Sequence, residues 1–273
     1  MSPAKDRTAR DPVGGLLAGG AVVVTGGGSG IGRACALACA AEGASVVVGD
    51  IDDALALATA ESIAQSGGQA RHHPGDVAES ATHEALAQVC ARDFGKITGW
   101  INNAAFSGGA LLGETTDEDW QRIQAVTLGG VFQGCRSAIT RMTRSGGGAI
   151  VNISSSAGLA AEPGLAAYGA AKAGVFSLTR SAAVEYAGHG IRVNAISPGP
   201  IDTPALGPWL EAFPGGRSAF EAQIPQGRLG RPEEIAQAAV FLLSDRASFI
   251  NGAALVADGG VHARLASPRS LPG

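Results

Sequence analysis

The sequence predicts a doubly wound α/β fold: a single Rossmann-like domain with a parallel seven-stranded sheet covered by helices on both faces. Three observations carry this. Short runs rich in Val and Ile alternate with longer helical stretches along most of the chain. These runs are apolar on both faces, as strands buried between two helix layers must be. The glycine-rich turn "TGGGSGIG" (25–32) lies directly between the first run and the first helix.

The elements follow in order. "AVVVT" (21–25) is a β-branched strand, and "IGRACALACAAEG" after it is an apolar helix ending at glycine. "SVVVGD" (45–50) is the second strand, followed by a helix that stops at "SGG" (66–68). "QARHHPGDV" holds a weaker third strand, and a helix spans about 79–94. "ITGWINNA" (97–104) is the fourth strand. In "TTDEDWQRIQAVTLGGVFQGCRSAITRM" a long helix then starts at an Asp117 cap. "GAIVNISS" (148–155) and "IRVNAISPG" (191–199) are the fifth and sixth strands, separated by the helix in "GLAAYGAAKAGVFSLTRSAA". Residues 203–223 read as an irregular excursion with Pro204, Pro208 and Pro214. "PEEIAQAAVFLLS" (232–244) is a helix with Pro at its first turn, and "AALVADGG" (253–260) is the last strand. Residues 1–18 are expected to be a flexible extension, 19–261 the folded domain and 262–273 a flexible tail.

Composition narrows the function classes. The chain has 273 residues, 45% of them hydrophobic, which is ample for one large core. Net charge is −4 with no basic block, so the electrostatic footprint of a nucleic-acid binder is missing. No apolar run reaches the roughly 20 residues that span a bilayer, and the first residues lack a signal-peptide core. Cys35, Cys39, Cys90 and Cys135 form no CxxC pair and suit reduced core thiols in a cytoplasmic protein. His72 and His73 have no carboxylate or thiol at ligand-like spacing, so no metal site is expected.

The glycine turn is the phosphate end of a nucleotide site. Its glycines allow a tight turn and close approach of a phosphate, towards which the next helix points its first N–H groups. The spacing Gly26, Gly30, Gly32 departs from G-x-G-x-x-G, but the strand-turn-helix setting makes the signal specific. Asp50 ends the second strand, where a carboxylate accepts from an adenosine ribose and repels a 2′-phosphate. Residues 44–60 hold no Arg or Lys, and Ser29 in the turn is uncharged, so NAD is preferred over NADP. A plain tight turn and a helix-capping aspartate are the unremarkable alternatives. A G-x-x-x-x-G-K-[ST] loop, a G-x-S-x-G elbow and an H-E-x-x-H pair are all absent.

Tyr168 and Lys172 are four residues apart on one helix face, in a chain with only two tyrosines. A free phenol titrates near pH 10 and is a poor base at neutral pH. A neighbouring ammonium is expected to lower that value and yield a proton donor-acceptor near pH 7. "NISSSAG" (152–158) brings serines to the carboxyl edge of the sheet. A hydroxyl there can stabilise a carbonyl oxygen or simply form a turn.

Together these residues resemble the short-chain dehydrogenase/reductase family over about residues 20–260. The carriers are "TGGGSGIG", Asp50, "GDV" (75–77), "NNAA" (102–105), "NISSSAG", "YGAAK", "NAISPGPIDTP" (194–204) and the closing "RLGRPEEIAQAAVFLLSDRASFINGAALVADGG". The resemblance implies a catalytic Ser about 13 residues before the Tyr, here Ser155 with Ser154 and Ser156 as flanking alternatives. It implies Tyr168 as general acid/base and Lys172 as its electrostatic partner, which also holds the nicotinamide ribose. It places Gly26, Ser29, Gly30, Ile31, Gly32, Asp50 and Ile51 against the cofactor, with Asp76 and Val77 flanking the adenine. Asn102 or Asn103, with Ala104, would line the cofactor cleft, and Pro198, Gly199, Ile201 and Thr203 would meet the nicotinamide half. In two places the chain departs from the family. Thr127 in "VTLGG" replaces the Asn of a proton relay, and Ala105 replaces a Gly.

The implied activity is reversible hydride transfer between NAD(H) and a secondary alcohol or ketone. Phe106, Ser107, residues 156–162, Leu206, Trp209, Leu210 and Phe213 are expected to build a mainly apolar substrate pocket, suited to a neutral, cyclic or aryl compound. Arg217 is the one arginine in the excursion before Arg228. The alternatives are a 3-oxoacyl-thioester reductase and a weakly catalytic nucleotide sensor, the latter suggested by Thr127. Helices rich in small residues suggest a homodimer or homotetramer.

Overall fold

A computed structural model describes residues 15–264. The seven strands are β1 (Ala21–Thr25), β2 (Ser45–Asp50), β3 (Ala70–Pro74), β4 (Gly99–Asn102), β5 (Gly148–Ile153), β6 (Ile191–Pro198) and β7 (Ala254–Ala257). They form one sheet in the order 3-2-1-4-5-6-7, and every pairing is parallel. The pleat sends successive side chains to opposite faces. Val22 and Val24 therefore pack under α1 (Gly30–Ala41), α2 (Asp53–Gln65) and α9 (Pro232–Leu243). Ala21 and Val23 pack under α3 (Ser80–Phe94), α5 (Gly130–Ser145) and α6 (Ala166–Tyr186). β1, β2, β4, β5 and β6 are buried on both faces, which explains their apolar runs, whereas the edge strands β3 and β7 are partly exposed.

The chain winds outward from β1 to β3, then crosses back to place β4 on the other side of β1. The strand order reverses there, and a crevice opens above the carboxyl ends of β1 and β4.

Several boundaries differ from the sequence expectation. β4 and β7 are shorter at both ends than expected. The long central helix is not continuous: α4 (Asp117–Gln124) passes into a π-turn (Ala125–Gly129) before α5. Its cap is Thr116 rather than Asp117, because the Thr116 hydroxyl accepts from the backbone N–H of Asp119. The excursion is not irregular: it folds into α7 (Gly207–Ala212) and α8 (Gly216–Glu221) around Leu210, Ile224 and Leu229. The N-terminal extension was expected to reach residue 18, yet Leu16 and Leu17 pack on the core and Leu17 N–H bonds Glu42 O at 2.9 Å. Of the expected tail, His262 is tied to Asp258; residues 1–14 and 265–273 lie outside the described residues. No described helix is long and apolar enough to cross a membrane.

Candidate active site

One cavity of about 1070 Å³ runs over the carboxyl edge of the sheet and under α7 and α8. It brings together the residues expected to bind cofactor or substrate, except Gly158 and Leu159 within the stretch 156–162 and, elsewhere, Gly32, Asn102 and Leu210. Each of the last three has a structural reason. A Cβ on Gly32 would lie 1.9 Å from the Gly26 carbonyl oxygen, so this glycine lets α1 close on the turn. Leu210 is buried in the small core of the excursion. Asn102 is 2% exposed and faces the same side as Trp100, two residues earlier in the pleat. It accepts from Trp100 Nε1 at 2.8 Å and donates to Asn152 Oδ1 at 2.8 Å. Of the two adjacent asparagines, Asn103 therefore lines the cleft.

The glycine turn is held from behind. Gly26 has φ +63°, and a Cβ there would meet Ala104 Cα at 2.8 Å. Asn103 Nδ2 donates to the carbonyls of Thr25 and Gly26 at 3.1 and 3.0 Å. Asp50 Oδ2 accepts from Gly28 N–H at 2.8 Å, and its Oδ1 accepts from Asp52 N–H at 3.1 Å. This carboxylate thus shapes the turn as well as facing the cleft. Ser29 starts α1 without a side-chain cap bond. Farther along, Asp76 accepts from Ala78 N–H at 2.9 Å and from Arg122 at 2.8 Å. Partial burial tends to raise the Asp76 pKa, but the Ala78 and Arg122 bonds outweigh it and hold the carboxyl below its usual range.

The chemical end is built on β5 and α6. Ser154 is buried and donates to Lys172 O at 2.8 Å, so its hydroxyl braces α6. Ser155 lines the cleft, accepts from Ala157 N–H at 3.1 Å and hydrogen-bonds Tyr168. Ser156 also lines the cleft but has no such bond with Tyr168. Lys172 is 1% exposed; its Nζ donates to Ile153 O at 2.7 Å and lies 5.5 Å from the centre of the Tyr168 ring. Burial pushes the Lys172 pKa down to about 7. Burial also pushes the Tyr168 phenol up to about 12, against the opposing Ser155 hydrogen bond. The expected lowering of the phenol by the lysine is therefore not what this geometry produces. Desolvation disfavours both charged forms, so the tyrosine is a protonated donor and the lysine is poised near neutrality.

Thr127 sits in the π-turn and is fully buried. Its hydroxyl accepts from Phe106 N–H at 3.0 Å and donates to Phe106 O at 2.8 Å. Both capacities are spent on the backbone of a cleft residue, a role the sequence did not reveal. Arg122, His262 and Arg264 also stand in the cavity wall, and no sequence signal marked them because none of the three falls inside a motif. Arg217 instead pairs with Asp202 and Glu221.

Comparison with known proteins bears on the family and the fold. A family model described as enoyl-(acyl carrier protein) reductase matches residues 26–262. A cyclohexanol dehydrogenase of Acinetobacter sp. (strain SE19) is 40% identical, the match covering 87% of this chain and 92% of that one. The crystal structure of levodione reductase superposes with a TM-score of 0.87 at 34% identity, covering 91% of this chain and 100% of that one. A solved neighbour from Beutenbergia cavernae, described as an NAD(P)-dependent gluconate 5-dehydrogenase with bound NADP at low occupancy, has a TM-score of 0.86 at 36% identity. That match covers 91% of this chain and 98% of the neighbour. With its all-parallel seven-stranded sheet and a match along most of its length, the chain belongs to the short-chain dehydrogenase/reductase family.

Proposed function

We propose that this protein interconverts a cyclic, mainly apolar secondary alcohol and its ketone, with NAD(H) as the hydride carrier. The observation that carries the reading is the convergence of Ser155, Tyr168 and Lys172 at one end of a dinucleotide-sized cleft. The cofactor held there would supply the hydride acceptor or donor for the carbinol carbon, and the side chains around it handle the oxygen and its proton. Ser155 positions the substrate oxygen, and Tyr168 donates its phenolic proton to the carbonyl oxygen in reduction or receives the hydroxyl proton in oxidation. Lys172 supports the tyrosinate that reduction leaves behind. The cofactor preference rests on Asp50, whose carboxylate opposes a 2′-phosphate, and on the lack of a cation in residues 44–60.

The substrate class rests on the lining. Phe106, Leu206, Trp209 and Phe213 supply an apolar wall, interrupted by Glu162. A relative named for cyclohexanol and a neighbour named for levodione are consistent with a cyclic substrate. The description of the matching family model favours a second reading, a reductase of acyl thioesters. Initial rates with NAD⁺ and NADP⁺ on a panel of cyclic alcohols, beside an acyl-thioester substrate, separate the two. Equal use of both cofactors sinks the role given to Asp50, and turnover confined to thioesters replaces the first reading with the second.

The protein is further proposed to act as a homodimer or homotetramer. Phe132 on α5 and Val184 on α6 are exposed apolar side chains on the helices expected to pair, and Phe249, Leu255 and Val256 extend the same character along the β7 edge. Light scattering on the purified protein tests this. The described cysteines are free and buried, which fits the proposed cytoplasmic location.

A further inference from the structure

His83 takes no part in the chemistry above, yet it is fully buried on α3. Its Nε2 lies 2.8 Å from the Val77 carbonyl oxygen, while Nδ1 is buried with no hydrogen-bond partner. A carbonyl only accepts, so Nε2 carries the proton and Nδ1 is bare. Burial lowers the His83 pKa, the nearby Arg136 charge adds to this, and the Val77 bond opposes it. The ring also stacks on Trp100, with centroids 6.2 Å apart and planes 26° apart. Trp100 is itself buried and anchored through Nε1 to Asn102. The imidazole thus has one tautomer, one orientation and one donor.

That donor is spent on the wall of the cofactor cleft. Val77 lines the cavity next to Asp76, and among the described residues no backbone N–H reaches its carbonyl. Its side chain is packed against the start of α5, where a Cβ on Gly130 would lie 3.0 Å from Val77 Cγ2. Without His83 the Val77 peptide would keep its side-chain contact but lose the bond that sets its tilt.

We propose that His83 is a positioning residue for the adenine end of the cofactor, acting through the Val77 carbonyl. This rests on the reading that the adenine lies against Asp76 and Val77. His83→Leu removes the donor, whereas His83→Gln carries an amide nitrogen the same number of bonds from the backbone as Nε2. Calorimetric titration with ADP-ribose and with nicotinamide mononucleotide reads the two halves of the cleft separately. His83→Leu is expected to weaken ADP-ribose about five- to tenfold and to leave the mononucleotide within about twofold, with His83→Gln close to wild type for both. Unchanged ADP-ribose affinity in His83→Leu overturns the proposal, as does an equal loss for both ligands, the mark of general loosening. If His83→Leu does not fold, His83→Asn, too short to reach the carbonyl, takes its place against His83→Gln. If the unaltered protein binds no ADP-ribose, the cofactor reading falls and takes this inference with it.

Discussion

The two ends of the cleft are built on opposite principles. At the proposed adenine end three polar side chains that face the cavity are already satisfied: Asp50 by Gly28 and Asp52, Asp76 by Ala78 and Arg122, Asn103 by the carbonyls of Thr25 and Gly26. At the chemical end the key groups are held away from their ordinary titration ranges, with Tyr168 pushed up to about 12 and Lys172 down to about 7 by burial. The first arrangement fixes a shape for a ligand to enter. The second keeps the phenol protonated and leaves the lysine divided between its two forms near pH 7, ready to respond to charge that arrives with the reaction. Binding and chemistry should therefore separate cleanly under mutation.

The largest effect should come from Tyr168→Phe. Turnover should fall by about 10²–10⁴-fold while the dissociation constant for the dinucleotide changes little. A parallel loss of both would show that the two ends are not independent.

Lys172→Met should come next, and its signature is pH dependence of stability. The folded pKa, about 7, lies below the ordinary 10.5, so between those values the unfolded chain binds a proton that the native state does not. Wild-type stability gains from this site as pH rises from about 7 towards 10.5 and levels off below 7. The methionine variant lacks that slope, so its stability relative to wild type should be greatest near pH 7 and shrink towards pH 10. Urea midpoints that stay parallel over this range would refute the assignment.

Asp50→Ala probes the other end. The loss of the bonds to Gly28 and Asp52 should raise the KM for NAD⁺ about tenfold and cost about 1–3 kcal/mol of stability. Improved NADP⁺ use at an unchanged Tm would instead mean that the carboxylate filters the cofactor without shaping the turn.

Thr127→Val should give the smallest effect on activity. It keeps the shape but strands both backbone groups of Phe106, for about 1–3 kcal/mol of stability. The KM for the alcohol should rise a few-fold while the dinucleotide KM holds; the reverse pattern would place Thr127 at the wrong end of the cleft.

Much of this was legible in the sequence because it depends on short-range geometry. Tyr168 and Lys172 share a helix face whatever surrounds them. The glycine turn needs only its own dihedrals and the strand and helix beside it. Which serine stands beside Tyr168 was less legible. Ser154, Ser155 and Ser156 are equivalent as letters, and only the packing of α6 on β5 commits Ser154 to Lys172 O and leaves Ser155 beside Tyr168. The direction of the Tyr168 shift is illegible for a related reason. Proximity to a lysine is visible in a spacing, whereas the burial that pushes the phenol up to about 12 depends on everything packed around the pair.

The sequence by itself determined the order of strands and helices, the glycine turn and the polar pair on α6, because hydrophobic period and residue spacing act over a few residues. Tertiary structure alone decided which asparagine meets the cleft, what Thr127 and His83 hold, and how far burial moves each titratable group. Those outcomes depend on contacts between segments far apart in the chain, such as Thr127 with Phe106 or Asn102 with Asn152, which no local pattern encodes.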